Sequence, residues 1–526
     1  MKKDLVKLVL IITGATLFNT VFWQEKIALN MVLFDAFILF SLFYLYPAAK
    51  NFTVLRWLVL GHLVCLAMIV VHNTEISKIG FAITLLLLAA FAQYCHRSVW
   101  FASGSILLNF IFFVAGFFEE TGKIRTKRIK RRSFSRVIRF AILPAILLVI
   151  FAMIYSVANS VFSNMMTDIG NKIEYFFSNF FFVFSWQRFL FLIAGLYITG
   201  SVLLKSKLNF FAAKESFYVD DLKRKKIRMW QRNRMPFYNL MKTFMGGFAS
   251  GNMALKNENT VGIISLVLLN LLLLSINIID INYVWLNFTY TADTVLYKLV
   301  HEGTELLILS IVLAMLVLLF FFKGNLNFYQ RNKWLKYGAY AWVIQNVILV
   351  MSVFLRDYYY IRHHGLAYKR IGVLVFLLMV IIGLMTVLIK ISLKKTNYFL
   401  FRVNAWAGLL ILVLATTVHW DSMIASYNLA HQNKVQLDVK FLLSLSDKTL
   451  PILHQNMELL KISEQRLQSA ADNSSSENCD TCFVKNLVAR EKNFMKEQQQ
   501  YTWLSWNYAD EYVNRYFKKK ANPIVQ

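Results

Sequence analysis

The sequence predicts an all-α fold: a polytopic transmembrane helical bundle of 11–12 spans with a small external C-terminal helical module. Three observations carry this reading. First, the 526 residues are 57% hydrophobic and only 16% charged, with a mean hydropathy of +0.50, whereas a globular domain runs at about 45–50% and about 25%. Second, apolar runs recur over the first four-fifths of the chain, each continuous over 17–23 residues. A helix needs about 20 such residues to cross roughly 30 Å of hydrocarbon, while a membrane-barrel strand alternates over about ten. Third, the basic residues are concentrated between the runs. Together these exclude a disordered chain, a collagen, a disulfide-rich secreted scaffold and a soluble enzyme on a single anchor.

The runs are 5–23, 27–46, 54–72, 79–95, 99–118, 137–159, 187–204, 260–279, 303–322, 337–355, 370–391 and 400–420. Residues 1–122 form an N-terminal group of five. The first has the charged start and apolar core of a signal peptide, but Trp23, Gln24, Glu25 and Lys26 offer no small-residue cleavage site, so it is read as a span. If all five cross, the N-terminus falls on the side opposite to that favoured by Lys2 and Lys3. Either one early segment is half-inserted, with 27–46, which contains Asn30 and Asp35, and the short 79–95 as the suspects, or the charge rule is broken there.

A basic loop follows at 123–139, with nine basic residues and no acid. Residues 140–204 hold the middle spans and an interfacial helix. There Ile169, Ile173, Phe176, Phe177, Phe180 and Phe181 keep a helical period among Asn171, Lys172, Glu174 and Asn179. A second basic loop covers 205–259, with twelve basic residues in 205–256 against Glu215, Asp220 and Asp221. Residues 260–420 form a five-span membrane domain. Residues 421–526 form an external tail, read as amphipathic helices over 436–463 and 483–517 around a polar loop near 471–478.

The net charge of +28 resides mostly in the two loops. Basic loops between spans mark the cytoplasmic side and attract anionic lipid headgroups. No recognition motif accompanies them, so nucleic acid is not an expected partner. This orientation puts the 280–302 loop and the tail outside, and Lys390, Lys394, Lys395 and Arg402 inside. Arg356, Arg362, Lys369 and Arg370 then stand on the disfavoured side, which calls for anionic partners there. The partners expected are the lipid bilayer, its anionic headgroups and a protein at the external tail.

The motifs define a candidate intramembrane polar cluster and no catalytic, metal or cofactor set. Gly246, Gly247 and Gly251 lack the strand and the Lys-Ser/Thr of a phosphate loop, and read as a flexible entry to a span. His301, Glu302 and Glu305 lack the second His of a zinc protease. His301 and Glu305 share one helix face, as a proton relay, a cation site or an interfacial cap. Asn270, Asn277, Gln345 and Asn346 are amides within spans, suited to hold helices together. Asp280, Asp421 and Asn428 lie at the same predicted ends as Arg356 and Arg370, and an ion pair of either arginine with Glu305, Asp280 or Asp421 is expected. Cys65 and Cys95 read as packing residues. Cys479 and Cys482 read as a local disulfide, with inert thiols as the alternative; a metal would need two more ligands, and only His431 and His454 are at hand.

The stretches from Val300 to Ala314, Gln345 and Asn346, Arg356 to Arg370, Asp421 to Asn428, and Leu437 to Pro451 resemble a bacterial multi-pass membrane family. It is catalogued as a domain of unknown function (numbered four-one-seven-three, a relative of four-one-five-three). The family pattern has Tyr-Gly-Leu-Thr where this chain has His364, Gly365, Leu366 and Ala367. The resemblance covers about 210–510 and implies a bacterial cytoplasmic-membrane location without assigning an activity. The expected role is a non-enzymatic envelope, sensory or assembly component. The alternatives are a proton- or ion-coupled transporter using Glu305 and His301, and a membrane enzyme on lipid-linked substrates.

Overall fold

The structure, a computed structural model, describes residues 2–124, 144, 147–148, 151–156, 158–180, 185–224, 254–287, 293–322, 324–432, 435, 437–470 and 482–521. The elements are all helical; an isolated bridge between Asp221 and Lys395 is the one extended pairing among the described residues. Nine described helices are long and apolar enough to cross a membrane, and two further apolar helices are shorter. The chain is an all-α, multi-pass membrane protein. About half of the run 137–159, most of both basic loops and the Gly246–Gly251 motif lie outside the described residues. Two compact units emerge: 1–215 with 496–514, and 216–495 with 515–526.

The first unit contains α1 (Lys2–Phe22), α2 (Leu29–Leu45), α3 (Thr53–Val71), α4 (Glu75–Tyr94), α5 (Val99–Ile124), α6 (Ser160–Phe180), α7 (Trp186–Leu203) and most of α8 (Phe210–Ser216). The α4 helix begins four residues before its apolar run. Thr74 caps it, with its hydroxyl accepting from Ser77 N at 3.2 Å, and Glu75 favours the positive N-terminal end. It stops at Cys95, whose φ of 53° reverses the chain at a cost of about 1–2 kcal/mol for a residue with a Cβ. Helices α1 and α7 run antiparallel and approach through small residues. A Cβ on Gly195 would stand 2.7 Å from the Phe18 ring, and one on Gly14 would collide with Thr199.

The expected exception among the early segments was 27–46 or 79–95: α2 is one of the two shorter apolar helices, while α4 and α5 are among the nine long enough to cross, and the tethers of α5 bear on its course. Its start adjoins the end of α4, where Gln93 donates to Val202 O (2.7 Å) and Ser98 N donates to Glu215 (2.8 Å). It therefore begins where α7 stops. Its far end returns to the same place: Glu119 pairs with Lys207, and Glu120 stands 3.9 Å from Lys7 of α1. A helix of 26 residues is about 39 Å long. Held at both ends on one end of the bundle, it runs across that end rather than back through it. Trp100, Leu107, Ile111 and Phe118 form its exposed apolar face, while Ala102, Ser105, Asn109 and Phe113 are buried. Hydropathy permits α5 as a span; the tethers at its two ends set its course.

The second unit contains α9 (Ala254–Asp280), extended by a π-helical turn over Ile281–Leu286, then α10 (Asp293–Phe321), α11 (Lys333–His364), α12 (Tyr368–Ser392) and α13 (Asn397–Thr416). The expected 280–302 loop is mostly helical, because 293–302 carries neither Pro nor Gly to stop α10. Helices α9 and α11 run parallel around a core that includes Leu266, Ile311, Leu318, Leu335, Val343 and Leu384. At one end, here called the loop side, Asp220 pairs with Arg402 (2.7 Å) and Asp221 with Lys395 (2.5 Å). The buried Lys390 donates to Phe322 O at 2.6 Å there, at the C-terminus of α10, where a cation is favoured.

The tail is more broken than its composition suggests. It forms α14 (Trp420–Ala430), α15 (Val439–Ser444), α16 (Leu450–Gln455), α17 (Met457–Ala470), α18 (Cys482–Gln498) and α19 (Tyr508–Ala521). A short 3-10 turn at Asp447–Thr449 and Pro451 at the start of α16 interrupt the first stretch. Arg490 ties α18 to the break, donating to Asp447 (3.0 Å) and to the carbonyls of Leu443 and Leu445. Within the first unit, the later tail sits on the α1–α2 turn. Lys26 N donates to Ser505 Oγ (2.8 Å), Leu29 N to Trp506 O (3.2 Å), and Lys26 Nζ lies 3.0 Å from Glu497.

Candidate functional site

In the second unit those of the predicted polar residues whose side chains are described fall into three groups. At the tail-side end, Arg356 Nη2 lies 2.5 Å from Asp280 Oδ1, with both side chains buried. The pair joins the end of α9 to α11. One turn away, Trp285 Nε1 donates to Ser352 Oγ at 2.9 Å. Deeper in, Gln345 donates to Asn270 Oδ1 (3.0 Å), Asn270 to Gly338 O (3.0 Å), and Asn277 to Gln345 O (3.1 Å). These amides fix the register of α9 on α11. Asn346 turns back onto its own helix, donating to Trp342 O at 2.8 Å.

The third group holds the turn between α11 and α12. Arg370 Nη1 donates to the carbonyls of His364 (2.8 Å) and Gly365, and its guanidinium stacks 4.5 Å over the Tyr360 ring. Asn428 grips Leu366 from the tail: Oδ1 accepts from Leu366 N (2.6 Å) and Nδ2 donates to Leu366 O (3.0 Å). Gly365 has φ +80°, and a Cβ there would stand 2.5 Å from Asn428 Oδ1, so both backbone and space call for glycine. The Tyr368 hydroxyl donates to Asp421. The side chains of His301, Glu302, Glu305 and Cys482, and all of Cys479, lie outside the described residues. Among the described residues no group of three His, Cys, Asp or Glu is placed to hold a metal.

The first unit contains a cluster that sequence reading did not assemble. Asp35 in α2, His62 in α3 and Thr84 in α4 meet near the middle of their helices. His62 Nε2 lies 2.9 Å from Asp35 Oδ1, and Nδ1 lies 2.8 Å from Thr84 Oγ1. Thr84 Oγ1 also lies 2.8 Å from Gly80 O and 3.0 Å from Phe81 O of its own helix. Asp35 is 1% exposed, His62 and Thr84 0%. A charged Asp at a helix centre costs about 3 kcal/mol on insertion, so partners are obligatory. Asp35 Oδ2 nonetheless accepts no hydrogen bond.

A second imidazole–carboxylate contact lies at the α4–α5 turn. His96 Nδ1 is 2.6 Å from Glu215 Oε2, and Nε2 is 2.7 Å from Ser105 Oγ. Glu215 Oε1 accepts from Ser98 N (2.8 Å) and Arg97 N (3.2 Å), which pins α8 beneath the α4–α5 turn. Beside it, a pocket of about 140 Å³ is lined by Asn109, Glu119, Glu120, Lys205 and Lys207. Burial pushes the Lys205 ammonium below its ordinary pKa.

Asp35 is visible in the sequence as a carboxylate inside an apolar run. Its partners are not, because His62 and Thr84 sit 27 and 49 positions away and each alone reads as an ordinary core residue. The available signal is positional: all three lie near the centres of consecutive runs. His96 and Glu215 are 119 positions apart and carry no such mark.

No curated protein and no solved structure matches the chain. The profile of the family described as Domain of unknown function (DUF4153) matches residues 34–456. The match takes in the first-unit helices from α2 onward, which the resemblance placed at 210–510 did not reach, and ends at Asn456 within the tail. Since it spans most of the chain, this protein belongs to the DUF4153 family.

Proposed function

We propose that the chain is a non-enzymatic component of the bacterial cytoplasmic membrane, an envelope, sensory or assembly protein that presents its tail outside the membrane to a protein partner. The observation that carries this reading is the grip of Asn428 on Leu366, joined by Tyr368 on Asp421. Arg370 and Asn428 spend their polar capacity on backbone and Asp421 takes the Tyr368 hydroxyl, which suits a platform better than a reaction centre.

The orientation rests on charge and parity. With α5 across the loop side, α1 to α4 cross four times and return the chain to its starting side. Lys2 and Lys3 then share a side with the loops at 123–139 and 205–256, as basic residues on the cytoplasmic face require. The α1–α2 turn falls on the opposite side, the one assigned to the tail segment that sits on it.

Protease added to intact spheroplasts tests the platform. Asn428→Ala leaves the Leu366 N–H and C=O without their partner, which costs about 2 kcal/mol. The tail is expected to become cleavable from outside while α9 to α13 remain protected. A tail cleaved only after the membrane is opened would contradict the reading.

A further inference from the structure

The geometry points to Asp35, His62 and Thr84 as an intramembrane proton-binding site that takes up and releases one proton, a function separate from the tail platform. The argument rests on counting hydrogens. Thr84 has one hydroxyl hydrogen and two possible recipients: the helix carbonyls of Gly80 and Phe81, or His62 Nδ1.

In the loaded state the hydroxyl points at the Gly80 carbonyl. His62 Nδ1–H then donates to Thr84 Oγ1, and one further proton lies between His62 Nε2 and Asp35 Oδ1. The cluster is neutral overall, whether that proton sits on the carboxyl or on the ring. In the released state the hydroxyl turns to donate to Nδ1, and Nε2–H donates to the Asp35 carboxylate. The two contacts of His62 serve both states with the heavy atoms unmoved. The difference is one proton, lost formally from Nδ1, and one rotation of a hydroxyl. A lysine or arginine in place of His62 could not do this, having no acceptor.

The other charged side chains on the helices that carry the cluster and on α1 and α7 lie toward the helix ends. The Phe81 ring lies 4.8 Å from the imidazole. On α2 the other ionisable side chain, Tyr44, is exposed. On α3 Arg56 is exposed at the helix start, and Cys65 is buried one turn beyond His62. On α4 Glu75 and Lys78 pair with each other at 2.7 Å in the first turn, and the Tyr94 hydroxyl bonds to Asn109 and Ser206. On α7 Arg188 lies at the exposed start, and the Tyr197 hydroxyl donates to Phe110 O. On α1 Asp4 and Lys7 lie in the first two turns. The unpartnered Asp35 Oδ2, fully enclosed, is the second mark of a site built to accept something small.

The test is infrared difference spectroscopy of the full chain in lipid nanodiscs, with the perfusing buffer stepped between pH 5 and pH 9. A carboxyl component and an imidazole component of the wild-type difference spectrum are expected to be missing in both Asp35→Asn and His62→Gln, read by subtracting each variant's spectrum so that the bands of the other eight histidines cancel. Thr84→Val keeps the shape but removes the hydroxyl rotor, and is expected to lose both components too; Thr84→Ser is expected to restore both. Size-exclusion profiles identify any variant that has not folded, and the threonine pair carries the test if the charged variants fail. Difference spectra of Asp35→Asn or Thr84→Val that superpose on the wild type over this range would reduce the cluster to a structural contact.

Discussion

Two of the buried aspartates stand in contrasting settings. Asp280 in the second unit faces Arg356 at 2.5 Å, and Asp35 in the first faces His62 at 2.9 Å. Arginine keeps its charge under all ordinary conditions, so Asp280–Arg356 is a permanent rivet between α9 and α11. Imidazole carries or gives up its proton, so Asp35–His62 can change charge without changing position. The same acid is therefore fixed at the tail-side end of one unit and exchangeable near the helix centres of the other. The partner residue, not the carboxylate, decides which.

The contrast can be broken most strongly at the rivet. Arg356→Ala strands the buried Asp280 and is expected to cost about 3–5 kcal/mol, seen as a collapse of folded protein in membranes. The double change Asp280→Leu with Arg356→Met is expected to recover most of that loss, since a well-packed apolar pair often replaces a buried ion pair without penalty. Next comes Asn428→Ala, at about 2 kcal/mol. Asp35→Asn should be the mildest, near 1 kcal/mol in thermal melts, because the amide still meets His62 Nε2. A loss at Asp35 equal to that at Arg356 would remove the distinction between the two pairs.

The fold class was legible because a span is a property of one continuous run, and eleven of the twelve runs correspond to described helices. The site was legible only in part. Arg356 stood out as a basic residue on the disfavoured side, and Asp280 as the acid ending a run, so their meeting followed from local marks. The role of α5 was not legible: residues 99–118 have the hydropathy of a span, and only the tethers from Glu119 and Glu120 to Lys207 and Lys7 show where the helix ends. Asp35–His62–Thr84 was hidden for a similar reason. A contact among three helices leaves no spacing in the sequence, and a lone histidine in an apolar run is usually a packed core residue. The tail was overread as two long helices because amphipathic period is blind to the turn at Asp447–Thr449 that breaks the first and the turn at Trp503–Ser505 that breaks the second.

The arrangement of the first unit is tested most directly by reporters placed on either side of α5. Fusions or single-cysteine labels at Arg97 and Thr121 are expected to report the same side, the cytoplasm, while sites at Gln24 and Ser474 report the outside. Opposite sides for Arg97 and Thr121 would make α5 a span and overturn the parity that places the N-terminus, both basic loops and the tail.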